Sequence, residues 1–134
     1  MSKNNAVIYA IHKENHEIQK QIKACEKYAK EKGYTIISKY VDTDINNRKQ
    51  FQQMIKDSSK KEFQAVIIYS LDRFARNRYD NAIYKRKLKL NGVKVLSTQE
   101  TLGNNASDIL MESIIEGLIE YYDKETNKKV VNEG

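Results

Sequence analysis

The chain has 134 residues, 40% of them hydrophobic, which suits one domain of ordinary size with a real core. Its 24 Lys and Arg against 18 Asp and Glu give a formal net charge of +6, which favours a polyanionic partner. No apolar run reaches membrane-spanning length and no secretory leader is visible; the single Cys excludes an internal disulfide, so a cytoplasmic protein is expected. Five Gly and no Pro leave no linker-like stretch, so a single domain over 1–134 is expected.

The first apolar run, Ala6 to Ile11, reads as a strand. After the polar turn His12 to His16, Ile18, Ile22, Cys25 and Tyr28 recur at helical spacing, and Gly33 stops that helix. Tyr34 to Val41 is β-branched and aromatic, so it is a second strand, followed by a polar loop from Asp42 to Asn47. Phe51, Met54 and Ile55 mark a second helix from about Arg48 to Ser58. The run Ala65 to Leu71 is a third, buried strand. A third helix is expected from about Tyr79 to Asn91, ending at Gly92, then a fourth strand, Val93 to Ser97. Leu110, Ile114, Leu118 and Tyr121 predict a long C-terminal helix over about 107–130. Strand and helix alternate, which implies an α/β fold: a four-to-five-stranded, mainly parallel sheet flanked by helices in three layers.

The densest chemistry lies where the third strand ends. Asp72, Arg73, Arg76 and Arg78 sit at or just past its carboxyl end. In open α/β sheets that end is where ligands bind. Guanidiniums offer planar forks of donors that suit a phosphate, and one carboxylate can orient them. Elsewhere the signals are bland. His12 and His16 are four apart but lack a third ligand, Cys25 lies on an apolar helix face, and the lysines of that helix read as a solvated surface.

The segment Leu71-Asp72-Arg73-Phe74-Ala75-Arg76-Asn77 resembles the second catalytic motif of the serine recombinases, the resolvase/invertase family. Asn91 to Val95 resembles the approach to that family's fourth strand, and Met111 to Tyr122 the start of its subunit-contacting helix. Gln21 matches a glutamine of the first helix and Arg48 an arginine opening the second. The similarity is nearest to the N-terminal domains of large serine integrases and transposon recombinases. It implies DNA strand cleavage and rejoining through a phosphoserine, with no metal or cofactor. By resemblance, Arg73 and Arg76 hold the scissile phosphate, Asp72 orients Arg73, and Arg48 reaches in from a loop. It further implies a dimer or tetramer through the C-terminal helix, and the +6 charge predicts only weak DNA binding by this domain alone.

The family's first motif is Tyr-x-Arg-x-Ser. Here it reads Tyr9-Ala10-Ile11-His12-Lys13, so Ile11 replaces the arginine and Lys13 the nucleophilic serine. The loop before Arg48 is short, and Lys49 stands where the family often has proline. Ser70 and Ser97 lie near strand ends but outside the motif position, and Lys13 could still contact a phosphate. The expectation is a catalytically impaired recombinase domain built on Tyr9, Lys13, Arg48, Asp72, Arg73, Arg76 and Arg78. The rival is a non-catalytic module that pairs with an active recombinase.

Overall fold

The structure, a computed structural model, describes residues 4–75 and 78–100, together with residues 113, 114, 117, 118, 120 and 121. Four strands, β1 (Asn5–Ile11), β2 (Thr35–Asp42), β3 (Ala65–Ile68) and β4 (Lys94–Ser97), form one sheet in the order β2-β1-β3-β4. Every pairing is parallel, with Tyr9 opposite Tyr40 on one side and Ile68 on the other. Helices α1 (Asn15–Lys32), α2 (Lys49–Asp57), α3 (Leu71–Phe74) and α4 (Arg78–Leu90) connect them.

Side-chain alternation in β1 divides the core. Ala6, Ile8 and Ala10 meet Ile18, Ile22, Cys25 and Ala29 of α1 on one face. Val7, Tyr9 and Ile11 meet Phe51 and Met54 of α2 and Leu88 of α4 on the other. The first face carries small alanines, and the second carries the aromatics. Phe51 lies edge-on to Tyr9, Phe74 and Tyr84, with centroids 5.1, 5.4 and 4.8 Å away, a geometry that suits aromatic quadrupoles.

Two glycines end helices as their sequence positions foretell. Gly33 and Gly92 take φ of 81° and 77°, the left-handed conformation that β-carbons disfavour. After each, the next residue's amide reaches back to a helix carbonyl: Tyr34 to Ala29 at 2.8 Å and Val93 to Leu88 at 2.9 Å.

The third strand is shorter than its apolar run. It stops at Ile68, opposite Tyr9, and Leu71 belongs to the short helix α3 rather than to the strand. Beyond Ile68 the carbonyls turn to the end of β4: Thr98 donates its amide to Ile68 at 3.0 Å and its hydroxyl to Tyr69 at 2.7 Å. Asp42 likewise belongs to β2 and is buried, not part of the following loop. The C-terminal helix expected over about 107–130 lies largely outside the described residues; residues 113, 114, 117, 118, 120 and 121 are helical. Arg86 of α4 ties to Glu120 there at 2.9 Å. No helix of the described residues is long and apolar enough to cross a membrane.

Phe51 is fully buried at the hub of three aromatic contacts. Phe51→Ala should therefore cost about 3–5 kcal/mol of unfolding free energy in a denaturant titration. A loss under about 1 kcal/mol would mean the cluster does not hold α2 to the sheet.

Candidate active site

After β1 the chain moves outward to β2, then returns to place β3 on the other side of β1. The crevice outside the carboxyl ends of β1 and β3 is therefore a topological switch point, where such sheets bind ligands. Ile11, His12 and Lys13 leave β1 at this end, and Ser70, Asp72 and Arg73 leave β3 beside it.

Beside the end of β1 a hydrogen-bonded cluster joins β1, β2 and α2. Tyr9 is wholly buried and donates its hydroxyl to Asp42 Oδ2 at 2.8 Å. Asp42, 5% exposed, also accepts the amides of Gln50 and Phe51 at 2.9 and 3.0 Å. Those amides open α2, so the carboxylate caps that helix from another element and meets the positive end of its dipole. No side chain within the helix does this job. Arg48 then donates Nε to the Tyr9 hydroxyl at 3.1 Å and Nη2 to the Phe74 carbonyl at 2.8 Å. Its guanidinium also lies 4.0 Å from the Phe51 ring centroid. Arg48 thus connects the end of β1 to α3. Burial pushes the Tyr9 phenol well above its ordinary range; Arg48 opposes that rise and the Asp42 carboxylate adds to it.

Gln21 of α1, 1% exposed, makes a second fixture. It donates Nε2 to the Ile11 carbonyl at 3.0 Å and accepts the Ile11 amide on Oε1 at 3.2 Å. The paired ladder with β3 ends at Tyr9, so the side-chain amide takes over the strand's hydrogen bonding two residues further on. Ile11 itself is 8% exposed and packs in the same cluster as Tyr9, Phe51 and Phe74. Where the resemblance implies an arginine, this chain has core. Lys13 is exposed and, among the described residues, makes no hydrogen bond or ion pair.

On the β3 side, the Ser70 hydroxyl donates to Asp72 Oδ1. Asp72 is mostly exposed and lies 3.9 Å from an Arg73 guanidinium nitrogen, a loose pair for the orienting role the resemblance implies. Arg73 is partly covered, and its Nε is buried with no hydrogen-bond acceptor among the described residues. Arg76 lies outside the described residues. Arg78 opens α4, and its side chain lies outside them too. Among the described residues no three His, Cys, Asp or Glu side chains gather as a metal site. Cys25 is buried on the α1 face, where burial, with Glu26 adding, pushes its thiol up to about 12.

Two carboxylates escaped the sequence reading. Asp42 left a signal: a carboxylate closing a β-branched strand just ahead of a helix whose own start lacks a capping side chain. Glu100 left none. It accepts the Leu71 amide at 3.1 Å from 29 positions away, a contact that only the fold creates.

A family model described as the resolvase N-terminal domain matches residues 9–134. The crystal structure of the N-terminal catalytic domain of TP901-1 integrase is 25% identical, with a TM-score of 0.70 over 91% of this chain and 98% of that one. A resolvase family site-specific recombinase from Streptococcus pneumoniae shares the fold at 19% identity, with a TM-score of 0.70 over 97% and 95% of the two chains. The C-terminal catalytic domain of ISC1926 TnpA, an IS607-like serine recombinase, shares it at 18% identity, with a TM-score of 0.65 over 87% and 99%. No curated protein sequence matches this chain. The fold and the matched span define a resolvase-type domain. The chain belongs to the resolvase family, as a serine recombinase N-terminal domain.

Tyr9→Phe should lower stability by about 1–3 kcal/mol, because Asp42 and Arg48 each lose a buried partner. The pH dependence carries a sign. A phenol whose folded pKa is raised contributes stability that is fully present below its ordinary value of about 10 and lost as pH rises past it. Alkaline unfolding of Tyr9→Phe should therefore be less steep than that of the parent. Parallel profiles for the two would show that Tyr9 is not held neutral by its surroundings.

Proposed function

We propose that this domain holds DNA phosphodiesters in the crevice at the ends of β1 and β3 without forming the family's covalent phosphoserine link. The observation that carries the reading is the asymmetry of the crevice. Its β3 side keeps Arg73, with a buried Nε that has no acceptor among the described residues. Its β1 side offers an exposed ammonium at Lys13 and a core isoleucine at Ile11. An orphaned guanidinium donor is costly unless an anion completes it, and a phosphate oxygen is a suitable acceptor. Arg48 adds positive charge in space and Arg76 and Arg78 add it in sequence, with Asp72 beside Arg73. A Lys13 ammonium attracts a phosphate but gives no oxygen nucleophile, and phosphoryl transfer rests on exact placement of the attacking group. The names of the similar structures, an integrase domain and serine recombinases, support DNA as the polyanion. The positive charge alone supports weak, salt-sensitive binding.

The test is a trapping assay with nicked DNA carrying a suitable site, with a DNA-binding domain supplied. The unaltered chain should give no covalent protein–DNA adduct. Lys13→Ser with Ile11→Arg should restore adduct formation by several orders of magnitude, as expected when a nucleophile is returned to an otherwise intact site. The Ile11→Arg change also places a charge among apolar neighbours, so a fall in stability should accompany it. An adduct from the unaltered chain would overturn the impaired reading, and its attachment residue, Ser70 for example, would name the nucleophile.

A second reading, pairing with another copy or an active relative, is favoured by one observation. Ile114 and Leu118 are 52% and 47% exposed on a shared helical face, with Tyr121 on the next turn at 60%. Ile114→Ser with Leu118→Ser should shift sedimentation toward monomer while leaving the circular dichroism spectrum unchanged. An unchanged association state would remove this face as the contact.

A further inference from the structure

We propose that Glu100, held by Ser97, is a positioning residue for Arg73; this rests on the phosphate-binding reading of the crevice. Glu100 follows β4 and is exposed, yet it is fixed at several points. Its Oε1 accepts the Ser97 hydroxyl at 2.5 Å, and its two oxygens lie 3.1 and 3.2 Å from the Leu71 amide nitrogen. Its own amide donates back to Ser97 Oγ at 3.3 Å. Ser97 is 4% exposed, so the anchor is built into the sheet. Thr98 clamps the preceding carbonyls of Ile68 and Tyr69.

The consequence is geometric. Backbone groups of Ile68, Tyr69 and Leu71 are all gripped by the end of β4, just where β3 must turn into α3. Arg73 lies two residues past Leu71, and its amide closes the turn on the Ser70 carbonyl at 3.0 Å. The path of that turn sets where Arg73 emerges from the sheet. A charge-assisted bond to a backbone amide is the strong kind, and it fixes direction as well as distance. Glu100 therefore acts on Arg73 through the backbone and touches no substrate.

The sign of the effect separates positioning from simple charge. Removing a carboxylate near a phosphate site strengthens anion binding if charge alone matters. If Glu100 positions Arg73, its removal weakens binding although the protein becomes more positive. The experiment is a nuclear magnetic resonance titration with inorganic phosphate, read at the Arg73 Nε–H signal, with the Leu71 amide as the reporter of the Glu100 bond. Glu100→Ala should weaken phosphate binding at Arg73 by about tenfold and move the Leu71 amide upfield. Glu100→Gln, which keeps a carbonyl acceptor, should bind at least as well as the parent. Ser97→Ala leaves the net charge unchanged, so any weakening there is free of electrostatic bias; about threefold is expected for one neutral hydrogen bond lost. It also serves if Glu100→Ala fails to fold.

Equal or tighter binding in both Glu100→Ala and Ser97→Ala would overturn the positioning role. If the parent shows no phosphate response at Arg73, the phosphate reading fails instead. The positioning claim is then decided on the phosphate-free spectra. An Arg73 Nε–H signal displaced by Glu100→Ala or Ser97→Ala supports it, and an unmoved one overturns it.

Discussion

A carboxylate buried at the end of a strand costs the fold several kcal/mol unless hydrogen bonds replace the water it loses. Asp42 meets that constraint with the Tyr9 hydroxyl and two amides of α2. The consequences spread through the domain. The cap fixes where α2 begins, and that start fixes Arg48 over the Phe51 ring. Arg48 in turn grips the carbonyl of Phe74, so the position of α3 depends on a residue more than one element away. Two strands and two helices are thus linked through one buried carboxylate.

This arrangement explains how the crevice can stay formed in a chain whose first motif is altered. Ile11 and Lys13 lie on β1, but the path of β1 there is set by Gln21, which binds both polar groups of the Ile11 backbone. That interaction ignores the identity of the side chain at position 11. The β3 side is held from β4 through Thr98 and Glu100. Neither fixture uses the side chains of Ile11 or Lys13. Ile11 enters the aromatic cluster and contributes apolar contact in place of a guanidinium. The path of the backbone at these strand ends is thus set from outside the first motif, although the side chains of Tyr9 and Ile11 are themselves part of the core.

The fold was largely legible in the sequence because it rests on local pattern. Alternation in Ala6 to Ile11, helical spacing in Ile18, Ile22 and Cys25, and the two glycines each report a period or a backbone conformation that neighbours alone decide. The end of β3 was not legible, because Tyr69 and Leu71 continue an apolar run while their hydrogen-bond partners lie on β4. The arginine-bearing segment was visible as a density of charge at a strand end. Its supports were not. Glu100 looks like an ordinary loop carboxylate in sequence and Asp42 shows only its place at a strand end; their roles depend on amides 29 and 8 positions away. Helical spacing put Arg48 at the start of the second helix, but its grip on Phe74 left no trace in the sequence.

Arg48 carries a further consequence for how the crevice could work. Its Nε is committed to Tyr9 and one terminal nitrogen to the carbonyls of Arg73 and Phe74. A guanidinium divided in this way reports on both sides of the crevice at once. A ligand that drew it outward would loosen Phe74, and with it the turn that carries Asp72 and Arg73. On the phosphate-binding reading proposed above, the electrostatic group and the structural strut would be the same side chain. Replacing Arg48 with Lys would keep the charge but not the fork, so it would separate the two roles.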